Sequence, residues 1–225
     1  MAARGWCDSN VDGAASEPVL DAPVRRRLDP WLDAVGRRLA AAGVSADALT
    51  LAGFLAGLAA VAAVALGAYR GGLALFLLGR LLDGLDGAVA RARGITDRGG
   101  FLDIVLDFLV YAGMAFAFAL ADPAVNALAA AFLLFAFMGT GSTFLAFAAM
   151  AARRGLETRA RGRKSLYYLG GLTEGTETIL FFTAACLWPA HFVPLALTFA
   201  GLCWITTAAR ILVGCRLLGD AGGRR

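Results

Sequence analysis

Apolar residues in this chain come in long, nearly unbroken runs. Stretches of about 20 such residues are long enough to cross a bilayer as helices. They occupy six places, approximately 48–68, 71–91, 100–121, 124–152, 166–189 and 191–216. Ahead of them Leu28, Trp31, Leu32, Val35 and Leu39 keep an i, i+3, i+4, i+7, i+11 rhythm, with Arg25, Arg26, Arg37 and Arg38 largely elsewhere on the wheel. The pattern predicts an all-α integral membrane protein, six transmembrane helices preceded by an amphipathic helix over 25–42. That helix is expected to lie on the cytoplasmic membrane surface, with Trp31 at the interface and its arginines near anionic head groups. Residues 1–24 carry Gly, Pro, Ser and Asp and read as a flexible tail without the apolar core of a signal peptide. One membrane domain over 43–218 and a short tail over 219–225 complete the division.

Composition agrees: 59% of residues are hydrophobic and 17% charged, against roughly 25% charged in a soluble domain. The formal charge of +4 would point to an anionic partner in a soluble protein, but here its distribution sets orientation and no nucleic-acid partner is expected. Arg25 to Arg27, Arg37 and Arg38 precede the first run; Arg91, Arg93 and Arg98 flank the second connection; Arg153, Arg154, Arg159, Arg161, Arg163 and Lys164 fill the fourth. Only Arg70 falls in a loop on the opposite side, so both termini are expected in the cytoplasm. Arginine in place of lysine, with abundant Ala and Gly, points to a GC-rich genome and a bacterial inner membrane. Cys7, Cys186, Cys203 and Cys215 show no paired spacing and read as small apolar fillers, and His191 as an interfacial residue.

Four aspartates break the oily pattern. Asp83 and Asp86 stand at i and i+3 near the end of the second run, and Asp103 and Asp107 at i and i+4 near the start of the third. With the amino terminus inside, all four reach a similar depth in the cytoplasmic half. Glu174 and Glu177, at the start of the fifth run, fall in the same zone, as do Arg80 and Arg210. A charge at the bilayer centre costs roughly 2.5–3.5 kcal/mol on insertion scales, so these groups imply a hydrated cavity open to the cytoplasm. Converging carboxylates without His or Cys favour hard ions such as Mg²⁺ or Mn²⁺. Gly87, Ala90 and Arg91 share a helix face and form a small-walled groove ending in a cation, suited to a nucleotide and its phosphates. Glu174 and Glu177 are balanced between acceptor binding and pairing with Arg153, Arg154 or Lys164. Gly53 and Gly57 form a G-x-x-x-G pair whose partner lies either in the same protomer or in a second one, and a homodimer is among the expectations.

The residues Asp83, Asp86, Gly87, Ala90, Arg91, Gly99, Asp103 and Asp107 fill every fixed position of D-x2-D-G-x2-A-R-x7-G-x3-D-x3-D, and here the chain resembles the CDP-alcohol phosphotransferase (CDP-alcohol phosphatidyltransferase) family. The resemblance implies transfer of a substituted phosphate from a CDP-linked lipid donor, expected to be CDP-diacylglycerol, to the hydroxyl of a small polar alcohol, with release of CMP. It implies two divalent cations, Mg²⁺ or Mn²⁺, held by Asp83, Asp86 and Asp103 with Asp107 beside them. Asp107 is then also the candidate general base, and Gly87, Ala90, Arg91, Gly99 and Thr50 the donor contacts. Where family members often carry Pro-Asn before that Thr, this chain has Ala46-Asp47, which puts a donor contact there in doubt. Two other readings compete. An intramembrane prenyltransferase also holds a diphosphate with acid-rich helices, but its acidic motifs lie on distant helices. A divalent-cation transporter would need acids along a whole path, and here only Asp122 lies near the outer face.

Overall fold

The computed structural model describes residues 21–154, 173 and 175–219, all of it helix and short connections. Seven α-helices follow in order: α1 (Asp21–Ala41), α2 (Ala46–Ala65), α3 (Tyr69–Arg93), α4 (Asp97–Ala121), α5 (Pro123–Arg153), α6 (Gly175–Leu187) and α7 (Phe192–Gly219), with a 3₁₀ turn at Pro189–His191 before α7. Their starts are written in the sequence. Ser45 accepts a hydrogen bond from the Ala48 amide at 3.2 Å, Thr96 from the Gly99 amide at 3.1 Å and Asp122 from the Val125 amide at 3.2 Å. Each hydroxyl or carboxylate thus satisfies an amide that has no partner in the first turn. Pro123 then opens α5, where its missing N–H costs nothing. Between α3 and α4 the chain reverses at Gly94, whose φ of 114° is one that side chains rarely tolerate.

Among the described residues, α2, α4, α5 and α7 are long and apolar enough to cross a membrane, four of the six expected spans. The two shortfalls have separate causes. Helix α3 is long enough but carries Arg80, Asp83 and Asp86 within its apolar stretch, so the charges of the site itself break the run. Only 13 residues of α6 are described, and the expected start of that span, with Glu174, lies outside the described residues.

Helix α1 forms, starting at residue 21 instead of 25, but part of its apolar stripe is turned to protein. Gly36 is buried against α3, where a Cβ would come within 2.5 Å of the Ala88 Cβ. Leu32 lies over Gly84, while Leu28 and Trp31 remain exposed. The glycine pair of α2 works within the chain. A Cβ on Gly53 would approach the Gly79 carbonyl of α3 at 3.1 Å, and one on Gly57 would meet Val110 of α4 at 2.5 Å. Close helix approach through missing side chains is what holds transmembrane helices together where lipid is as apolar as leucine.

The apolar core fills the half of the bundle around the α4–α5 turn. Met114 and Phe118 of α4, Leu133 of α5, Phe182 of α6 and Phe192 of α7 are fully buried there, and the Phe118 and Phe192 rings stack at 4.3 Å. Cys186 and Cys203 belong to this core as free thiols, in keeping with a filler role. His191 is exposed at the turn into α7. Toward the opposite end the polar groups stand among further buried apolar residues, Ala88 and Val89 on α3 and Phe147 and Ala151 on α5.

Candidate active site

Helix periodicity places the acids. Asp83 and Arg80 stand one turn apart on α3, and Asp103, Asp107 and Tyr111 form an i, i+4, i+8 stripe on α4 facing them. Carboxylate oxygens of Asp83, Asp103 and Asp107 come within 4.8 Å of one another. Asp86, the fourth aspartate, stands outside this trio. It is 5% exposed and lies beside the Thr50 hydroxyl, and its Oδ2 is buried without a hydrogen-bond partner.

A buried, unpaired carboxylate oxygen next to three crowded carboxylates is costly unless a cation serves them. The trio offers oxygen donors alone and the separations suit one or two shared ions, so the residues present fit a hard divalent cation.

One cation is built into the protein. The Arg80 side chain is 8% exposed, donates from Nη1 to Asp107 and lies 3.7 Å from Asp83. The same nitrogen is 3.3 Å from the Tyr111 hydroxyl. The guanidinium carbon sits 5.1 Å from the Tyr111 ring centroid and 6.0 Å from that of Phe76, within cation–π range.

Two cavities meet at the acids. A small pocket is lined by Thr50, Gly53, Phe54, Arg80, Asp83, Asp103, Leu106 and Asp107. A groove of about 260 Å³ runs between α4, α5, α6 and α7, with Asp103, Asp107, Tyr111, Thr140, Thr178 and Arg210 among its lining. Asp103 and Asp107 belong to both. Arg210 is 7% exposed, donates to the Thr140 carbonyl at 3.2 Å and lies 5.8 Å from the Phe144 ring centroid. Thr173 and Thr206 join hydroxyls at 3.1 Å close by.

A family model for CDP-alcohol phosphatidyltransferase matches residues 43–213, which takes in α2 to most of α7 and every residue of the two cavities. The chain belongs to this family. It is therefore a transferase of the CDP-alcohol class, which decides against the prenyltransferase and transporter readings. An Escherichia coli inner membrane protein, YnjF, is 54% identical over 196 residues, 87% of this chain and 95% of its own length. Archaetidylinositol phosphate synthase of Methanothermobacter thermautotrophicus is 44% identical over 87 residues, 38% of this chain and 41% of its own. A phosphatidylinositol phosphate synthase of Mycobacterium tuberculosis, solved with CDP-DAG bound, superimposes with a TM-score of 0.53 at 23% identity, covering 82% of this chain and 90% of that one. At that identity the likeness is one of fold.

Within this phosphatidyltransferase the other motif residues sit further toward the α3–α4 turn. Thr50 lines the small pocket, but Gly87, Ala90, Arg91 and Gly99 line neither cavity. Arg91 donates from Nε and Nη2 to one oxygen of Asp33, at 3.1 and 2.7 Å, which ties α3 to α1. A Cβ on Gly87 would stand 3.5 Å from Arg91 Nη1, so the two do share a face. The Gly99 amide is spent on the Thr96 cap. Asp47, ahead of Thr50 in the first turn of α2, lies 3.5 Å from Arg98. Glu177 is half-buried in the first turn of α6 and lines neither cavity.

Two contributors escape a reading by motif. Tyr111 continues the Asp103–Asp107 stripe by one more turn, a signal that the spacing alone carries. Asp33 is 58 residues from Arg91, and nothing local in the sequence joins them.

Proposed function

We propose that this protein transfers the substituted phosphate of a CDP-linked lipid, CDP-diacylglycerol, to the hydroxyl of a small polar alcohol and releases CMP, in phospholipid biosynthesis. The observation that carries the reading is the position of Asp103 and Asp107 in the wall shared by the small pocket and the groove. A phosphoryl transfer needs donor and acceptor on either side of one charged centre, and these two residues serve both sides.

Asp83, Asp86 and Asp103 would hold two divalent ions, Mg²⁺ or Mn²⁺, with Asp107 adjoining. When bound, such ions neutralise the diphosphate and the charge developing on the CMP leaving group. The remaining work falls to the protein. Asp107 faces the groove and takes the proton of the acceptor hydroxyl as its oxygen bonds to the lipid-linked phosphorus and the bond to CMP breaks. Arg210 and the threonines of the groove orient the polar acceptor. Arg91, Gly87, Ala90, Gly99 and Thr50 contact the donor on the α3 side, Arg91 exchanging Asp33 for a donor oxygen.

All six helices α2 to α7 cross the bilayer in this reading. Both termini and the α3–α4 turn face the cytoplasm, where CDP-linked donors and polar alcohols meet, and α1 lies along that surface with Leu28 and Trp31 toward lipid.

The test uses the purified full chain with labelled CDP-diacylglycerol, Mg²⁺ or Mn²⁺, and a panel of acceptors including glycerol 3-phosphate, inositol 1-phosphate and serine. CMP release with one acceptor, abolished by chelator and reduced by on the order of 10²–10⁴-fold in Asp107→Asn, is the expected result. Undiminished turnover in that variant would remove Asp107 from the base role.

A further inference from the structure

The acidic centre contains a group that the signature does not include. Arg80 is nearly enclosed, lies in contact with two ring faces and reaches Asp107, Asp83 and the Tyr111 hydroxyl with one nitrogen. It lines the small pocket and not the groove, whereas Arg210 lines the groove and not the small pocket. The two carboxylates between them are those shared by both cavities.

We propose that Arg80 is a permanent cation of the reaction centre, a positioning residue that holds Asp107 by the oxygen facing α3 and limits how tightly the acidic cluster takes up divalent ions before the donor arrives. The inference rests on the metal-dependent reading above.

Three features of the structure carry it. First, Arg80 is enclosed, with Phe76 and Tyr111 flanking its guanidinium and its side chain 8% exposed. Second, a guanidinium stays charged at any working pH, so its charge adds to that of every ion entering the cluster. Third, a carboxylate has two oxygens. With one engaged by Arg80, the second is left for the acceptor hydroxyl, which would arrive through the groove that Asp107 lines.

A cation fixed about 6 Å from a divalent ion weakens its binding by roughly tenfold even at the dielectric of water. Arriving diphosphate adds negative charge and offsets that repulsion. The arrangement therefore couples tight metal uptake to the presence of donor and keeps an empty site from hoarding ions.

The experiment measures Mn²⁺ binding to the detergent-solubilised full chain by electron paramagnetic resonance, without nucleotide, in wild type, Arg80→Gln and Arg80→Lys, beside steady-state kcat. Arg80→Gln is expected to bind Mn²⁺ roughly tenfold more tightly while kcat falls. Arg80→Lys is expected to keep wild-type Mn²⁺ affinity, because the charge stays. Its kcat is expected to fall, because an ammonium lacks the flat guanidinium face that lies against the Phe76 and Tyr111 rings and so holds Asp107 less firmly. A merely structural Arg80 would lose metal affinity and thermal stability together. Unchanged or weaker Mn²⁺ binding in folded Arg80→Gln overturns the proposal. If that variant does not fold, Arg80→Lys decides: wild-type affinity with reduced kcat supports the proposal, and unchanged kcat overturns it. Absence of Mn²⁺ binding in wild type would instead overturn the metal reading itself, and this inference with it.

Discussion

At the scale of single residues, the centre is a contest between like charges that the chain settles with Arg80 and leaves open at Asp86. Each aspartate has a separate consequence. Asp83→Asn and Asp103→Asn remove a ligand from the trio, so both are expected to lose Mn²⁺ affinity and turnover together, whereas Asp107→Asn is expected to lose turnover first. Isothermal titration with Mn²⁺ beside CMP release checks the difference. The trio was legible in the sequence because i, i+3 and i, i+4 spacings on consecutive helices with a short turn leave few ways to point apart. Arg80 was legible as a cation at the right depth, though its pairing with Asp107 was not, since helix rotation decides which acid it meets. Asp33 was illegible for a simpler reason: α1 has several acids and arginines, and only its docking selects this one to hold Arg91.

At the scale of elements, apolar runs located α2 to α5 and α7 to within a few residues, because about 20 residues are needed to cross a membrane and caps mark where several of them begin. Helix α3 matches its predicted run, 71–91, but Arg80, Asp83 and Asp86 within it make it more polar than α2, α4, α5 and α7. The docking of α1 onto α3 was also hidden, since a stripe of apolar residues suits a lipid surface and a protein groove equally. Gly36 provides the test. A valine there would drive its methyl groups into Ala88, at a cost of about 1–3 kcal/mol. Amide exchange is expected to quicken over α1 and remain as in wild type over α5. Equal protection of α1 in Gly36→Val would contradict the dock. The exposed Asp33–Arg91 pair is worth little by itself, about 0–1 kcal/mol. Asp33→Asn is therefore expected to leave thermal unfolding nearly unchanged and to act on the KM for the donor.

At the scale of the whole molecule, the main apolar core surrounds the α4–α5 turn, and the charged groups of the site gather toward the α3–α4 turn. Gly57→Ala, at the tight α2–α4 crossing, is expected to cost about 1–3 kcal/mol in a detergent melt without altering which acceptor is used. Orientation has its own readout. A cysteine replacing Arg70 is expected to react with an impermeant maleimide added outside intact cells, and the native Cys215, exposed near the end of α7, only after permeabilisation. The reverse pattern would place the acids on the wrong face for a cytosolic donor. A structure of the protein with Mn²⁺ and a CDP-linked lipid, read by anomalous scattering, tests the account at its centre. Metal peaks are expected within about 2.0–2.6 Å of carboxylate oxygens from Asp83 and Asp103, between α3 and α4, with the diphosphate on them. Peaks elsewhere, or these side chains turned to separate surfaces, would contradict it.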